Sequence, residues 1–510
     1  MFVSIINDVL GPIMRGPSSS HTAGSYHIGR TLGTMLTAEP RTARFTFDRN
    51  GSYAETYSQQ GADRGFILGL MGIPLIDERF FTAFETASRD GIEVEFAVSD
   101  LDCPDHPNKV EIELTSRTGD SLTAAAASIG GGTFRISSVN GWPVEIRGKQ
   151  YHLLIVCARH AQQRVIDVLK RAPASIETRA DDALIVWNGD SCPEEAMVSA
   201  LKTLQGVKKV ISVEPVYHTQ KGAVLFHSAG EMVAYAENNA LTLGQAALRY
   251  EAQLLGLTPQ QVLDEMVRRF AIMKDSVHSG LDNSKVNMQL LEPTASAIAA
   301  AEKSKQLPVG GLHTRAAVNA MAAMHTCNSM AVVCAAPTGG SAGVIPGTLV
   351  AWADEVKAEP EQVAMMLLAA GAIGVIVAIR ATFAAEVAGC QVEIGAAGAM
   401  AAAAVVEYAN GTAAQAADAA AISFQNTMGS VCDLVQGTCE IPCHTRNAAA
   451  SSSAFVCADL ILGGYHNPIH LDETIDAVYD CGKLLPSELR CTSKGGIAMA
   501  PSARTMKRRM

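Results

Sequence analysis

At 510 residues the chain is longer than one hydrophobic core usually serves, so two to four domains are expected. A formal charge of -11 with no strongly basic run argues against nucleic acid or an anionic membrane surface as a partner. Twelve cysteines in so long a chain are too dilute for a secreted disulfide scaffold and suit thiols, metal ligands or small buried hydrophobes.

The opening MFVSIINDVLGPIMRG lacks the basic n-region, apolar run and cleavage site of a targeting segment, which fits a cytoplasmic protein. Residues 1–147 have mixed periodicity. A Gly/Pro/Ser turn at 16–20 precedes SYHIGRTLGTML, which reads as a helix. RFTFDRN, IEVEFAVSD and KVEIELTSR alternate as strands, and SIGGGTFRISSVNG sets glycine turns around another, so this section is expected to be an α+β domain.

In residues 148–220, YHLLIVCAR, AQQRVIDVLKRA, ASIETR, DALIVWNG, PEEAMVSALKTLQG and VKKVISVEPV spell a βαββαβ module with helices on one face of an antiparallel sheet. The module resembles the ACT fold in element order. CARHAQQ replaces the Asp and Pro-Gly turn that often follow the first strand there, which leaves a structural spacer at least as well supported as an effector site.

Residues 221–510 are dominated by Ala, Met, Leu and Gly, as in GAAGAMAAAAVVEYANGTAAQAADAAAISFQ, and are expected to form a large all-α domain. Val363 to Ile379 is uncharged and apolar at the lower length limit for crossing a bilayer. Its Ala and Gly content favours a buried core helix.

This section holds VCDLVQGTCEIPCHTRN. Cys432, Cys439 and Cys443 include no C-x-x-C pair, so a zinc ribbon or redox dithiol has little support. Cys390, in AEVAGCQVEIGAAGAM, follows the apolar helix at a turn marked by Gly389. With Cys432 and Cys443 it makes a set spaced 42 and 11 residues apart. Three thiolates can hold a 4Fe-4S cluster by three irons and leave the fourth open. By spacing alone, packing cysteines are the better account.

Two other stretches suit an anionic group. Ser18, Ser19, Ser20, His21 and Thr22 stand just before a helix, as a carboxylate site or as a serine-rich cap. Thr338, Gly339, Gly340 and Ser341 lie in the Gly-rich AAPTGGSAGVIPG, as a carboxylate or amino-group loop or as a tight helix-helix turn.

Taken together and in this order, GPSSSHTAGSYHIGR, SIGGGTFRISSVNG, AAPTGGSAGVIPG, GCQVEIG and CDLVQGTCEIPCHTRN resemble the iron-sulfur-dependent L-serine dehydratases, or L-serine ammonia-lyases, in a single-chain form with the β-type domain before the α-type domain. The resemblance implies a 4Fe-4S cluster on Cys390, Cys432 and Cys443, with Cys439 an extra thiol. It further implies that the open iron acts as a Lewis acid on the substrate β-hydroxyl while a base removes the Cα proton, giving pyruvate and ammonia. Ser20, His21 and His106 are the candidate catalytic groups. Ser18, Ser19, Thr22, Gln60, Asp63, Asn108, Thr338, Gly339, Gly340, Ser341, Arg446 and Asn447 are the candidate substrate contacts. A homodimer is expected by analogy, with an amino acid as small-molecule substrate and neither nucleic acid nor membrane as a partner.

One segment departs from the family pattern. Where the family usually reads Gly-His-Gly-Thr-Asp, this chain has Gln59, Gln60, Gly61, Ala62 and Asp63. Gln60 cannot titrate near neutral pH, so either His21 or another group takes the proton, or the substrate is threonine, cysteine or a larger hydroxy acid. Family members can also place a C-terminal cysteine at the cluster, whereas PSARTMKRRM contains none and Cys491 is the nearest candidate. A pyridoxal phosphate enzyme would need an alternating βαβ pattern that is absent here. A non-enzyme alternative is an iron-sulfur sensor or ligand-binding module without catalysis, for which the Gln60 replacement is the best sequence argument.

Overall fold

The computed structural model describes residues 2–101 and 105–509. A short strand β1 (Ile13–Arg15) precedes helix α1 (Gly24–Met35), strand β2 (Pro40–Asp48) and helices α2 (Ser52–Thr56), α3 (Ala62–Leu70) and α4 (Ala83–Arg89). Strands β3 (Glu93–Ser99), β4 (Lys109–Ser116), β5 (Ser121–Gly130), β6 (Thr133–Val139) and β7 (Trp142–Ile146) follow. They form a sheet in the order β3-β2-β4-β5-β6-β7, parallel between β2 and β3 and antiparallel elsewhere. The alternation read from KVEIELTSR is the physical one. Val110, Ile112 and Leu114 point inward with Phe45 and Phe47, in a core shared with Ile28 and Leu32 of α1 and Phe66 of α3.

The next section is β8 (Tyr151–Ala158), α5 (Gln162–Leu169), β9 (Ser175–Arg179), β10 (Asp182–Gly189), α6 (Glu195–Thr203) and β11 (Val207–Val213), with antiparallel sheet order β11-β8-β10-β9. Both faces are covered. Leu153, Ile155 and Cys157 meet Val165 and Leu201 of the two helices, whereas Leu154, Val186 and Val213 join the core of the first sheet. That is why β8 reads as a nearly continuous apolar run.

The rest of the chain is mainly helical: α7 (Ala229–Asn238), α8 (Leu243–Leu255), α9 (Pro259–Leu281), α10 (Ala295–Lys303), α11 (Gly311–Asn328), α12 (Val344–Val356) and α13 (Pro360–Arg380). After α13 come α14 (Ala385–Ala388), α15 (Ile394–Tyr408), α16 (Ala413–Thr427), α17 (Cys443–Leu462), α18 (Leu471–Leu484) and α19 (Pro501–Thr505). The expectation of an all-α section needs a correction, because three short strands lie within it. β12 (Val332–Cys334) pairs with β1, and β13 (Cys432–Asp433) pairs in parallel with β14 (Arg490–Thr492). Elements of two or three residues are too short to leave an alternation in the sequence.

Helix α13 is long and apolar enough to cross a membrane by composition, yet 78% of its most apolar window is buried inside the protein. Part of that cover is the start of the chain, since Ile5 and Val9 share its core. A Cβ on Gly374 would lie 2.1 Å from Val9 Cγ1, so glycine is what lets the segment sit this close. Glu251 of α8 anchors the same segment by accepting from the amides of Ile5 and Ile6, both at 2.9 Å.

Candidate functional site

The serine-rich motif folds as a buried π-helical turn, Ser19–Ala23, that runs into α1. Ser18 caps it by accepting from the His21 amide. The His21 ring is fixed at both nitrogens, with Nδ1 3.1 Å from Ser18 Oγ and Nε2 2.8 Å from Thr56 Oγ1. Thr56 spends its own proton on the Ser52 carbonyl, so it accepts from His21 Nε2-H, which leaves Nδ1 as an acceptor for the Ser18 hydroxyl. Burial lowers the pKa of His21, and the Glu386 carboxylate opposes that shift.

Glu386 on α14 is the centre of this polar half. Its Oε1 accepts from Ser20 Oγ at 2.6 Å and from Asn108 Nδ2 at 3.2 Å. Burial alone would raise its pKa, but His21, Ser20 and Asn108 outweigh that and hold it below the usual carboxylate range. His106 faces the same carboxylate and accepts from the Asn108 amide at 3.1 Å, with its pKa lowered by burial first and by Arg135. Two buried acceptors, Asn108 Oδ1 and Gln60 Oε1, have no hydrogen-bond partner. Gln60 is held by Nε2 to the Gly437 carbonyl at 3.0 Å, and its own carbonyl accepts from Thr22 Oγ1 at 2.9 Å.

The thiols gather beside this network. Cys390 opens a 3-10 turn after Gly389, whose φ is +77° and whose Cβ would lie 2.7 Å from the Ser430 carbonyl. Cys432 lies on β13 and hydrogen-bonds with Cys390 on one side and Cys491 on the other. Cys443 begins α17 and pairs with Cys439. The hydrogen bond from Cys432 and burial push the Cys390 thiol well above its ordinary pKa. Arg446 Nη1 donates to Cys390 Sγ at 3.7 Å and to the Val431 carbonyl at 2.6 Å. It also lies 3.0 Å from Asp433.

The Gly-rich loop closes the site from below. Thr338 and Ser341 hydrogen-bond reciprocally, hydroxyl to hydroxyl at 3.0 Å, and the Gly339 amide donates to Ser19 Oγ at 3.2 Å. The Gly339 amide thus joins this loop to the serine-rich turn. Asn447 reaches from α17 to donate to the Gly340 carbonyl at 2.8 Å and accept from the Gly343 amide at 3.1 Å. Asp63 stands apart, at the start of α3, where its carboxylate accepts from the Arg64 amide and is pushed up to about 6 by burial.

Sequence reading singled out neither Glu386 nor Glu393, although both lie in the stretch quoted around Cys390. Their signal was available: two lone carboxylates in an otherwise uncharged, Ala-rich run are expected to be buried only with partners. Burial, followed by the charge of Glu386, pushes Glu393 up to about 8 against the opposing Thr338 hydrogen bond, so it is protonated at neutral pH. Cys491 was named only as the nearest candidate for a C-terminal cysteine at the cluster. It enters because β14 lies against β13, a pairing across 58 residues that no local pattern announces.

A cavity of about 370 Å³ lies between α2 and the segment before α19, lined by Ser52, Thr56, Glu386, Arg490, Cys491 and Lys494. Among the described residues no three His, Cys, Asp or Glu side chains converge on one point as ligands of a single metal ion. A 4Fe-4S cluster does not need that, because each thiolate binds its own iron. Buried thiols in mutual contact, with the Arg446 cation against one of them, fit such a polynuclear anionic group.

The family model described as serine dehydratase alpha chain matches residues 230–498. The probable L-serine dehydratase alpha chain of Bacillus subtilis is 35% identical over 286 residues, covering 56% of this chain and 95% of its own. The probable beta chain from the same organism is 40% identical over 149 residues, 29% of this chain and 66% of its own. L-serine dehydratase TdcG of Escherichia coli, at 31% identity over 283 residues, covers 54% of this chain and 62% of its own.

Proposed function

The chain belongs to the serine dehydratase alpha chain family, and on that premise we propose that it is an L-serine ammonia-lyase that yields pyruvate and ammonia. Likeness to separate alpha and beta chains supports a single-chain form of the two. The observation that carries the reading is the juxtaposition of Cys390, Cys432 and Cys443 with an ionised Glu386 held by Ser20 and Asn108. Cys390, Cys432 and Cys443 are the residues to hold a 4Fe-4S cluster, with Cys491 adjoining. When bound, the cluster supplies an iron with an open position that acts as a Lewis acid on the departing hydroxyl.

The chain's own residues account for the proton chemistry. Glu386 takes the Cα proton, because it is charged, oriented by two donors and lines the cavity. His21 holds the serine turn that presents Ser20, and both of its nitrogens are already engaged. The unpartnered oxygens of Asn108 and Gln60 suit the substrate ammonium, which satisfies two buried acceptors. Loss of the Cα proton and the β-hydroxyl gives the enamine and water. The enamine tautomerises to the imine, and a water hydrolyses that to pyruvate and ammonia.

The same reading carries the division 1–147, 148–220 and 221–510, an ACT-like middle module, a homodimer and a cytoplasmic location. The test is anaerobic purification with iron and sulfide assayed in the sample that is given L-serine. Pyruvate and ammonia in equal amounts from cluster-loaded protein are expected. A full cluster with no serine turnover would move the substrate to threonine, cysteine or a hydroxy acid, the alternatives that Gln60 keeps open. Turnover by iron-free protein would end the cluster reading.

A further inference from the structure

The thiol half contains a buried ion pair to which the proposed proton chemistry gives no task. Asp433 follows Cys432 on β13, and its side chain is 4% exposed. Arg446 sits about one turn after Cys443 on α17 and is half-buried. Asp433 Oδ1 and Arg446 Nη1 are 3.0 Å apart. The pair thus reaches all three elements that carry Cys390, Cys432 and Cys443. It stands on β13 and α17, and it meets the turn at Cys390 through the 3.7 Å hydrogen bond from Arg446 Nη1 to Cys390 Sγ.

What holds the pair together follows from its hydrogens. Arg446 Nη1 has two, and it donates to the Val431 carbonyl at 2.6 Å and to Cys390 Sγ. None is left for Asp433 Oδ1, which is buried without a hydrogen-bond partner. Its attraction to the guanidinium is therefore Coulombic, and withdrawal from water keeps it strong. Asp433 is also fixed from the far side. Its Oδ2 accepts from the Ile497 amide at 2.7 Å, and a Cβ on Gly496, whose φ is +58°, would collide with that oxygen. The carboxylate is locked against Arg446 by a segment that also carries Cys491.

Charges beside the sulfurs of an iron-sulfur cluster, and hydrogen bonds to them, set its reduction potential. Here a cation and an anion are built against one set of thiols, with opposite effects. On the reading that Cys390, Cys432 and Cys443 hold a 4Fe-4S cluster, we propose that Arg446 and Asp433 are positioning residues that tune its potential. Arg446 raises the potential from its place against Cys390, and Asp433 lowers it by holding that cation and cancelling part of its charge.

The test reads the cluster rather than turnover. Anaerobic cluster-loaded full chain is titrated with dithionite and viologen mediators and followed by electron paramagnetic resonance. One electron passes from reduced viologen to the cluster, and no bond forms or breaks. Arg446→Gln is expected to make the cluster harder to reduce and Asp433→Asn easier. Each change should be about tenfold in the one-electron equilibrium constant, or about 59 mV. Arg446→Lys keeps the charge and should lie closer to wild type than Arg446→Gln. A pair that only braces the fold would move both charge-removing variants the same way or neither, and either result overturns the proposal. If Arg446→Gln takes up no cluster, Asp433→Asn decides alone, because a midpoint that holds or falls contradicts the expected rise. Wild-type protein that binds no iron and sulfide defeats the cluster reading and this proposal with it, an outcome distinct from a loaded cluster whose midpoint the variants leave unmoved.

Discussion

The two halves of the candidate site are held in different ways. The thiol half rises from the helical section, on a 3-10 turn, a two-residue strand and a helix start, with buried sulfurs touching one another. The polar half comes from the strand-rich section, as hydroxyls, amides and imidazoles whose protons are almost all assigned. Several bonds join the two: Gly339 donates to Ser19, Gln60 donates to Gly437, and Glu386 of the helical section accepts from Ser20 and Asn108 of the other. Under the proposed function the thiols would hold the cluster and the polar groups would handle protons, so each half can be damaged separately.

The largest effect is expected in the thiol half. Cys390→Ser should lose bound iron, sulfide and more than about a hundredfold in turnover together, whereas Cys439→Ser keeps the iron. Iron per chain is the measurement, and a full cluster in the Cys390 variant would break the assignment. Next is Glu386→Gln, which preserves shape and can still accept from Ser20. Its kcat should fall by about 10² to 10⁴ with iron content unchanged, the separation that the two-half picture requires.

A smaller effect sharpens the contrast between the two carboxyls. Glu393 has its pKa raised from 4.5 to about 8, so between those values the folded cluster-free protein holds a proton that the unfolded chain releases. Its contribution to stability is complete below the lower value and is lost as pH rises through the upper one, with a slope of about 1.4 kcal/mol per pH unit. Urea titrations across that range should show Glu393→Gln without this slope. The smallest effect belongs to Lys494 and Glu55, a 3.2 Å pair at the cavity rim whose side chains are about half exposed. Lys494→Met should change unfolding free energy by less than about 1 kcal/mol in the same assay. A larger loss would show that this pair holds the segment carrying Cys491.

Much of the fold was legible because its signals are local. Alternation in KVEIELTSR, the glycines around Thr133–Val139 and the six elements of the middle module depend on neighbours a few residues apart, and the structure has them where the pattern put them. Cys390, Cys432 and Cys443 were nameable from motif resemblance. Cys439 and Cys491 were also named, but the contact of Cys491 with Cys432 was not legible, since it arrives by β13-β14 pairing.

The sequence by itself determined the element types, the alanine-rich core and the residue chemistry at hand, because propensity and periodicity act over short range. Only the tertiary structure decided that Glu386 meets Ser20 and Asn108 across 366 and 278 residues, that both nitrogens of His21 are engaged, and that Glu393 keeps its proton. Those outcomes depend on desolvation and on charges brought close by packing, and neither exists until the chain has closed on itself.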